Sequence, residues 1–305
     1  MQMGVAVPYL ENDLKELCAW GVLAQKGGRY ETAVVIFTKE FAAEAMAKTL
    51  SHQQKIADII SNFLDERLSD IKSIGFHTGG SDDGLLRWHI TQLIIEQAVL
   101  VKYEKNLNLV FPTKYGGESF VIGVENYHEG AGGLTTRSEN ACGDQIKFIE
   151  FFVSSIYEKL DFGYFYERAN RVNIAIDIAK GKMDGFSEND AFEVAELIKS
   201  GWAAKDGGEL SLCIPVYTAE QFEQIISMTD AVTDRISDAT RDMIEISTDI
   251  LVQHTPASMK KEAKEVGWLK RHDIAMKRPV EIMRDSGALR RIAGNEHPTA
   301  YVLLK

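Results

Sequence analysis

The chain has 305 residues, 45% apolar and 26% charged, with 45 acidic and 34 basic side chains and a formal net charge of −11. That length and apolar share place it among globular proteins with room for two domains, each with a core. No run of eighteen or more apolar residues occurs, and the opening MQMGVAVPYLENDLKEL lacks the basic start and apolar centre of a signal peptide, so the sequence reads as cytoplasmic with no membrane partner.

The first predicted element is a short helix in PYLENDLKELCAWG that stops at Gly21, where a residue of positive φ is needed. Val22 to Lys26 and Arg29 to Phe37 then flank Gly27-Gly28, a pair suited to the primed turns of hairpins, with Tyr30, Thr32, Val34 and Ile36 on one face. A long helical stretch from Thr38 to Phe76 closes on His77-Thr78. Leu85 to Lys105 reads as a helix and Ser119 to Tyr127 as a strand. Gly130-Ala131-Gly132-Gly133 is read as preceding a helix, a place where backbone amides can cradle phosphate. No lysine lies in that loop and Arg137 is the only nearby cation, so a linker between two halves is the preferred reading.

In the second half, Gly143 to Leu160 is strongly amphipathic and predicts a helix, with a shorter one from Arg171 to Lys180 before the turn at Gly181 to Gly185. Ser187 is an N-cap for a third helix, whose apolar face is Phe192, Val194, Ala195 and Ile198 and whose stop is Gly201. Trp202 to Asp206 and Glu209 to Tyr217 flank Gly207-Gly208; Leu210, Leu212, Ile214 and Val216 share a face, and Pro215 sets its strand near a sheet edge. From Thr218 to His254, Val232, Ile236, Ala239, Met243, Ile246 and Ile250 alternate spacings of four and three, the seam of a bundle or coiled-coil helix. The expectation is a homo-oligomer, as a dimer through this seam, or an intramolecular bundle with Thr38–Phe76. Met259 to Arg291 is a broken helical segment leading to a strand, Thr299 to Leu304.

Residues Glu16 to Glu40 recur without a gap 180 positions later, at Glu196 to Glu220. Eight positions are identical: Glu16/Glu196, Leu17/Leu197, Gly21/Gly201, Ala24/Ala204, Gly27/Gly207, Gly28/Gly208, Thr38/Thr218 and Glu40/Glu220. About one or two matches are expected from composition, so an internal repeat is the first reading. A helix, a glycine stop and a glycine-turned hairpin resemble the second half of the winged helix-turn-helix of bacterial transcriptional regulators. The resemblance implies a mainly α fold with small β-hairpins, in which tandem winged-helix-like modules join long bundle or coiled-coil helices. The first half, 1–129, holds a truncated winged-helix end, long helices and a strand. The second, 138–305, holds a winged-helix module (141–217), a long helix (218–254) and a basic C-terminal segment (258–305). Counterparts of 141–180 would precede Met1, which leaves either a reduced first module or, the favoured option, further helices before it.

Enzymatic motifs are absent. Cys18, Cys142 and Cys213 form no disulfide or zinc pattern, and His52, His77, His89, His128, His254, His272 and His297 contain no paired metal-ligand spacing. No metal, cofactor or catalytic residue is expected. Asp230, Asp234, Asp238, Asp242, Glu245 and Asp249 read as a solvated helix face. Helices that enter the major groove present Arg, Lys, Asn or Gln, whereas the second-copy helix offers Glu188, Asp190, Glu193 and Glu196 against Lys199. The first offers Glu11, Asp13 and Glu16 against Lys15. From residue 258 onward, however, 11 basic residues face 6 acidic ones. Pro279 is read as starting one helix there and Ala288 to Ala293 as forming a second. Candidate DNA-binding residues are therefore Lys260, Lys261, Lys264, Lys270, Arg271, Lys277, Arg278, Arg284, Arg290 and Arg291. The leading expectation is a DNA-binding transcriptional regulator; the rival is a non-enzymatic interaction or dimerisation scaffold without DNA contact. The sequence names no effector.

Overall fold

The computed structural model describes residues 11–80, 82–105, 107, 122–125, 133–140, 142–151, 169–182, 184–292, 296–297 and 299–305. In chain order, α1 (Glu11–Ala19), β1 (Leu23–Lys26), β2 (Arg29–Thr32), β3 (Val35–Phe37) and the long α2 (Lys39–Ser73) lead to α3 (Asp83–Ile95). A π-helical segment (Glu96–Tyr103) and β4 (Ile122–Val124) follow, then β5 (Gly133–Glu139), β6 (Gln145–Phe151), α4 (Ala169–Ala179) and α5 (Glu188–Lys199). Next come β7 (Ala203–Asp206), β8 (Glu209–Leu212), β9 (Val216–Thr218), the long α6 (Ala219–His254), α7 (Lys260–Val266), a second π-helical segment (His272–Lys277), α8 (Arg278–Asp285) and β10 (Ala300–Leu304). The fold is mainly helical with a few small strand pairs.

Local chemistry sets the same backbone path twice. α1 and α5 each end in a paired glycine stop: Gly21 donates to the Cys18 carbonyl and Val22 to Leu17, while Gly201 donates to Ile198 and Trp202 to Leu197. Gly27-Gly28 (φ 57° and 79°) and Gly207-Gly208 (φ 55° and 97°) make the turns of β1–β2 and β7–β8. The Ala33 amide then bonds back to Val22, and the Cys213 amide to Trp202, which ends both ladders. Arg29–Phe37 and Glu209–Tyr217 are therefore not single strands. β3 and β9 leave the hairpins and pair in parallel with β4 and β10. The proposed face through Val34 and Ile36 breaks accordingly, since Val34 is buried and Ile36 is 38% exposed. Leu210, Leu212, Ile214 and Val216 are all buried.

Two compact units each draw on three separated stretches, and neither coincides with the halves 1–129 and 138–305. One comprises Met1–Leu50, Leu107–His128 and Asp242–Lys270; the other comprises Ser51–Asn106, Glu129–Arg241 and Arg271–Lys305. In the first, the start of α2 packs on the end of α6, with Phe37, Phe41, Ala45, Ile250, Leu251, Met259 and Ala263 in one core. Along α6, Val232, Ile236, Ala239, Met243 and Ile250 are buried and Ile246 is partly so, which means that the seam is covered within a single chain.

In the second unit, β5, β6, β10 and β9 form a sheet in that order, with β9 on the edge just after Pro215. Gly143 to Leu160 is thus no helix over its first part. QIKFIEF alternates well enough to be a strand, and the preceding turn is tied by Asn140, whose side chain accepts from the Cys142 and Asp144 amides at 2.9 and 3.0 Å. Residues 152–160 of that prediction lie outside the described residues. One sheet face presents Ile146, Val216, Ala300 and Val302 to a core shared with Val172, Ala175, Ile176, Leu197, Trp202, Leu210 and Leu212 of α4, α5 and the β7–β8 hairpin. The other face is aromatic: the Tyr217 ring lies 4.6 Å from Phe76, 5.8 Å from His89 and 5.7 Å from Tyr301.

Candidate functional site

α5 opens on the expected cap, for Ser187 accepts from the Asp190 amide while Asp190 accepts from the Ser187 amide. Its apolar face is rotated from the predicted one. Leu197 and Glu193 are buried, Val194 and Ile198 are partly buried, and Phe192 and Ala195 face solvent, Phe192 with 56% of its surface exposed. The cause is a buried ion pair: Arg171 of α4 donates to Glu193 and turns that carboxylate inward. Two more of the acids are also committed locally, Asp190 by hydrogen bonds from Asn170 and Ser187 that hold its pKa down, and Glu196 by Lys199 at 3.2 Å. The outward stripe of α5 is Glu188, Phe192, Ala195 and Lys199.

The ten basic candidates do not lie in one unit: Lys260, Lys261, Lys264 and Lys270 belong to the first, and Arg271, Lys277, Arg278, Arg284, Arg290 and Arg291 to the second. Most are occupied. Lys261 reaches Glu265 at 3.9 Å, Lys270 is buried over the rings of Phe37 and Phe41, and Arg271 is buried against Glu104. Lys277 and Arg278 share Glu281, and Arg284 pairs with Asp285 at 2.9 Å. Arg290 holds both Glu296 oxygens at 2.9 and 2.7 Å and Asp82 at 3.2 Å. Lys260, Lys264 and Arg291 are exposed and make no ion pair among the described residues. Pro279 does start α8. Residues 288–292 are not helical, because the Ala288 and Arg290 carbonyls are taken by the Arg87 guanidinium at 3.3 Å and the Trp88 indole at 2.6 Å; Ala293 lies outside the described residues.

At the base of the second hairpin is a cavity of about 470 Å³, lined by Gly79, Gly80, Leu85, Ile198, Gly201, Ala203, Ala204, Lys205, Cys213, Glu296 and His297. Its wall depends on Gly79, where an added Cβ would stand 2.5 Å from the backbone of Cys213 and Ile214. His77 braces the same wall, bonding the Leu212 carbonyl at 2.8 Å through Nε2. The His297 imidazole stacks on Trp202 with centroids 3.8 Å apart and planes 8° from parallel. His297 Nε2 lies 2.9 Å from the Ser200 carbonyl, which can only accept, so Nε2 carries the proton and Nδ1 is left as an acceptor. Burial holds the His297 pKa below the usual imidazole value and raises that of the Cys213 thiol, so both are neutral at pH 7. No sequence signal pointed to the Trp202–His297 stack.

Other candidates resolve simply. Gly133 begins a strand rather than leading to a helix, and Gly130–Gly132, His128 and Glu129 lie outside the described residues. Asp230 and Asp234 pair with Lys102 at 2.9 and 2.6 Å, and Asp238 pairs with Arg241. Among the described residues no three ligand-type side chains are grouped for a metal, and no helix is long and apolar enough to cross a membrane. No family model matches the chain, and comparison with curated proteins and with solved structures returned no match.

Proposed function

We propose that the chain is a non-enzymatic interaction protein, built from two copies of a winged-helix-like module, that associates with a second copy of itself through α5. Support for the duplication comes from the shared 180-residue offset of the glycine stops, hairpins and long-helix starts. The observation that carries the self-association is the outward stripe Glu188, Phe192, Ala195 and Lys199. These positions fall at i, i+4, i+7 and i+11, one face of the helix. An antiparallel copy of α5 sets Phe192 opposite Ala195 and Glu188 opposite Lys199, and does so identically on both partners, the requirement for an isologous interface. The same stripe offers duplex DNA one cation and no arginine.

The DNA-binding regulator remains the second reading, supported by the exposed Lys260, Lys264 and Arg291. Sedimentation velocity over a concentration series, paired with anisotropy of a mixed-sequence duplex at low salt, separates the two. The expected result is a reversible dimer, lost in Phe192→Ser while the parent's circular dichroism is kept, and no duplex binding. A monomer at every concentration overturns the self-association. Salt-sensitive duplex binding that weakens in Lys260→Ala/Lys264→Ala/Arg291→Ala establishes the regulator instead.

A further inference from the structure

We infer that the cavity beneath the second hairpin is a receptor site for a small planar organic acid carrying one N–H or O–H donor. The two hairpins have matching ladders, Leu23↔Thr32 in one and Ala203↔Leu212 in the other, so their side chains can be compared position by position. Where β1 carries Leu23 and Gln25, β7 carries Ala203 and Lys205, both in the cavity lining. The second hairpin thus carries a smaller side chain, Ala203, at a buried position of the lining and a cation in place of a neutral amide. Its backbone shows that the leucine was compatible with the turn and ladder.

The groups around the space complement one another chemically. Leu85, Ile198 and Ala203 supply apolar wall. Lys205, exposed and without an ion pair among the described residues, supplies the positive charge. Glu296 does not cancel it, because both of its oxygens are held by Arg290. His297 supplies a single oriented acceptor, Nδ1, since its other nitrogen is fixed on the Ser200 carbonyl and its ring is clamped on Trp202. A ligand that uses all three has a flat apolar body, an anionic group for Lys205 and a donor for Nδ1. The volume of about 470 Å³ lies within the range of small-molecule sites.

Calorimetry on the full chain with indole-3-carboxylate tests this, with indole and 1-methylindole-3-carboxylate as comparators that lack the anion and the donor. Indole-3-carboxylate should bind, and each comparator should bind about tenfold more weakly or worse. Lys205→Gln should weaken indole-3-carboxylate by about the same factor and leave indole unchanged. Ala203→Leu should abolish binding and, because Ala203 is buried in the core, lower the melting temperature while keeping the circular dichroism of a folded protein. No binding of indole-3-carboxylate overturns the assignment, as does equal binding of the three probes or undiminished binding by a folded Ala203→Leu protein.

Discussion

Tyr217 and Tyr301 provide the sharpest test of the packing argument. Both are fully buried on the aromatic face of the sheet, 5.7 Å apart between ring centroids, and neither hydroxyl has a hydrogen-bond partner among the described residues. Phe37 stands at the position equivalent to Tyr217 in the first hairpin's exit strand, packed 5.3 Å from Phe41 in an apolar core. An aromatic ring without a hydroxyl therefore suits this backbone. A buried hydroxyl stripped of water and left unpaired costs about 1–3 kcal/mol, whereas removing one oxygen atom leaves a void too small to offset that. Tyr217→Phe should accordingly stabilise the protein by about 1 kcal/mol, or roughly 2 °C in Tm.

An alkaline arm gives an independent reading. Burial raises both phenol pKa values well above 10, so the folded state keeps its protons where the unfolded chain loses them. Stability attributable to each tyrosine is then fully present below about pH 10 and lost above it at about 1.4 kcal/mol per pH unit. Between pH 10 and 11 the parent should lose the contribution of two tyrosines, and Tyr217→Phe that of one. Urea unfolding at pH 8, 10 and 11 measures both effects. Destabilisation of Tyr217→Phe by more than about 1 kcal/mol at pH 8 would refute the reasoning, because it would mean that the hydroxyl is bonded in the native state, and so would an unchanged alkaline slope, because it would mean that Tyr217 ionises in the native state as readily as in the unfolded chain.

Two further outcomes follow from the cavity wall. Gly79→Ala combines φ +72° with a Cβ 2.5 Å from neighbouring backbone and should cost more than about 3 kcal/mol, while Gly80→Ala, at φ +67° in open space, should cost about 1 kcal/mol in parallel denaturation curves. His297 has its pKa depressed by burial, so its contribution is present above the unfolded value near 6.5 and lost as pH falls, because the unfolded chain takes up the proton first. His297→Phe, which keeps a ring on Trp202, should flatten the fall in the urea midpoint between pH 7 and pH 5; identical slopes would contradict this.

What the sequence made legible was what neighbouring residues decide. Gly21, Gly201, the two glycine pairs and Ser187 act within a few positions, and each does what its local chemistry requires. Gln145–Phe151 was not legible, because its pattern suits either a strand or a helix and β10, about 150 residues away, selects the strand. The tail shows the same limit in charge. A run of lysines and arginines reads as a polyanion surface only while their partners are out of view, and Glu104, Asp82 and Glu296 reach them through the fold.

The differences between the two hairpins then weigh more than their likeness. Identical turn glycines, stops and ladder registers hold the backbone constant, so side-chain differences between the copies are not demanded by the turn itself. Leu23, Gln25 and Phe37 stand in one copy where Ala203, Lys205 and Tyr217 stand in the other. At these places the second hairpin carries a smaller side chain, an exposed cation and a buried phenol with no partner among the described residues, and it is the phenol that lowers stability relative to the ring already tolerated by the same backbone. A destabilising choice kept in one of two hairpins of matching register is the pattern expected where function, rather than folding, selects the residue. Substitutions in the second hairpin, rather than in the first, are therefore the ones that test the proposed site.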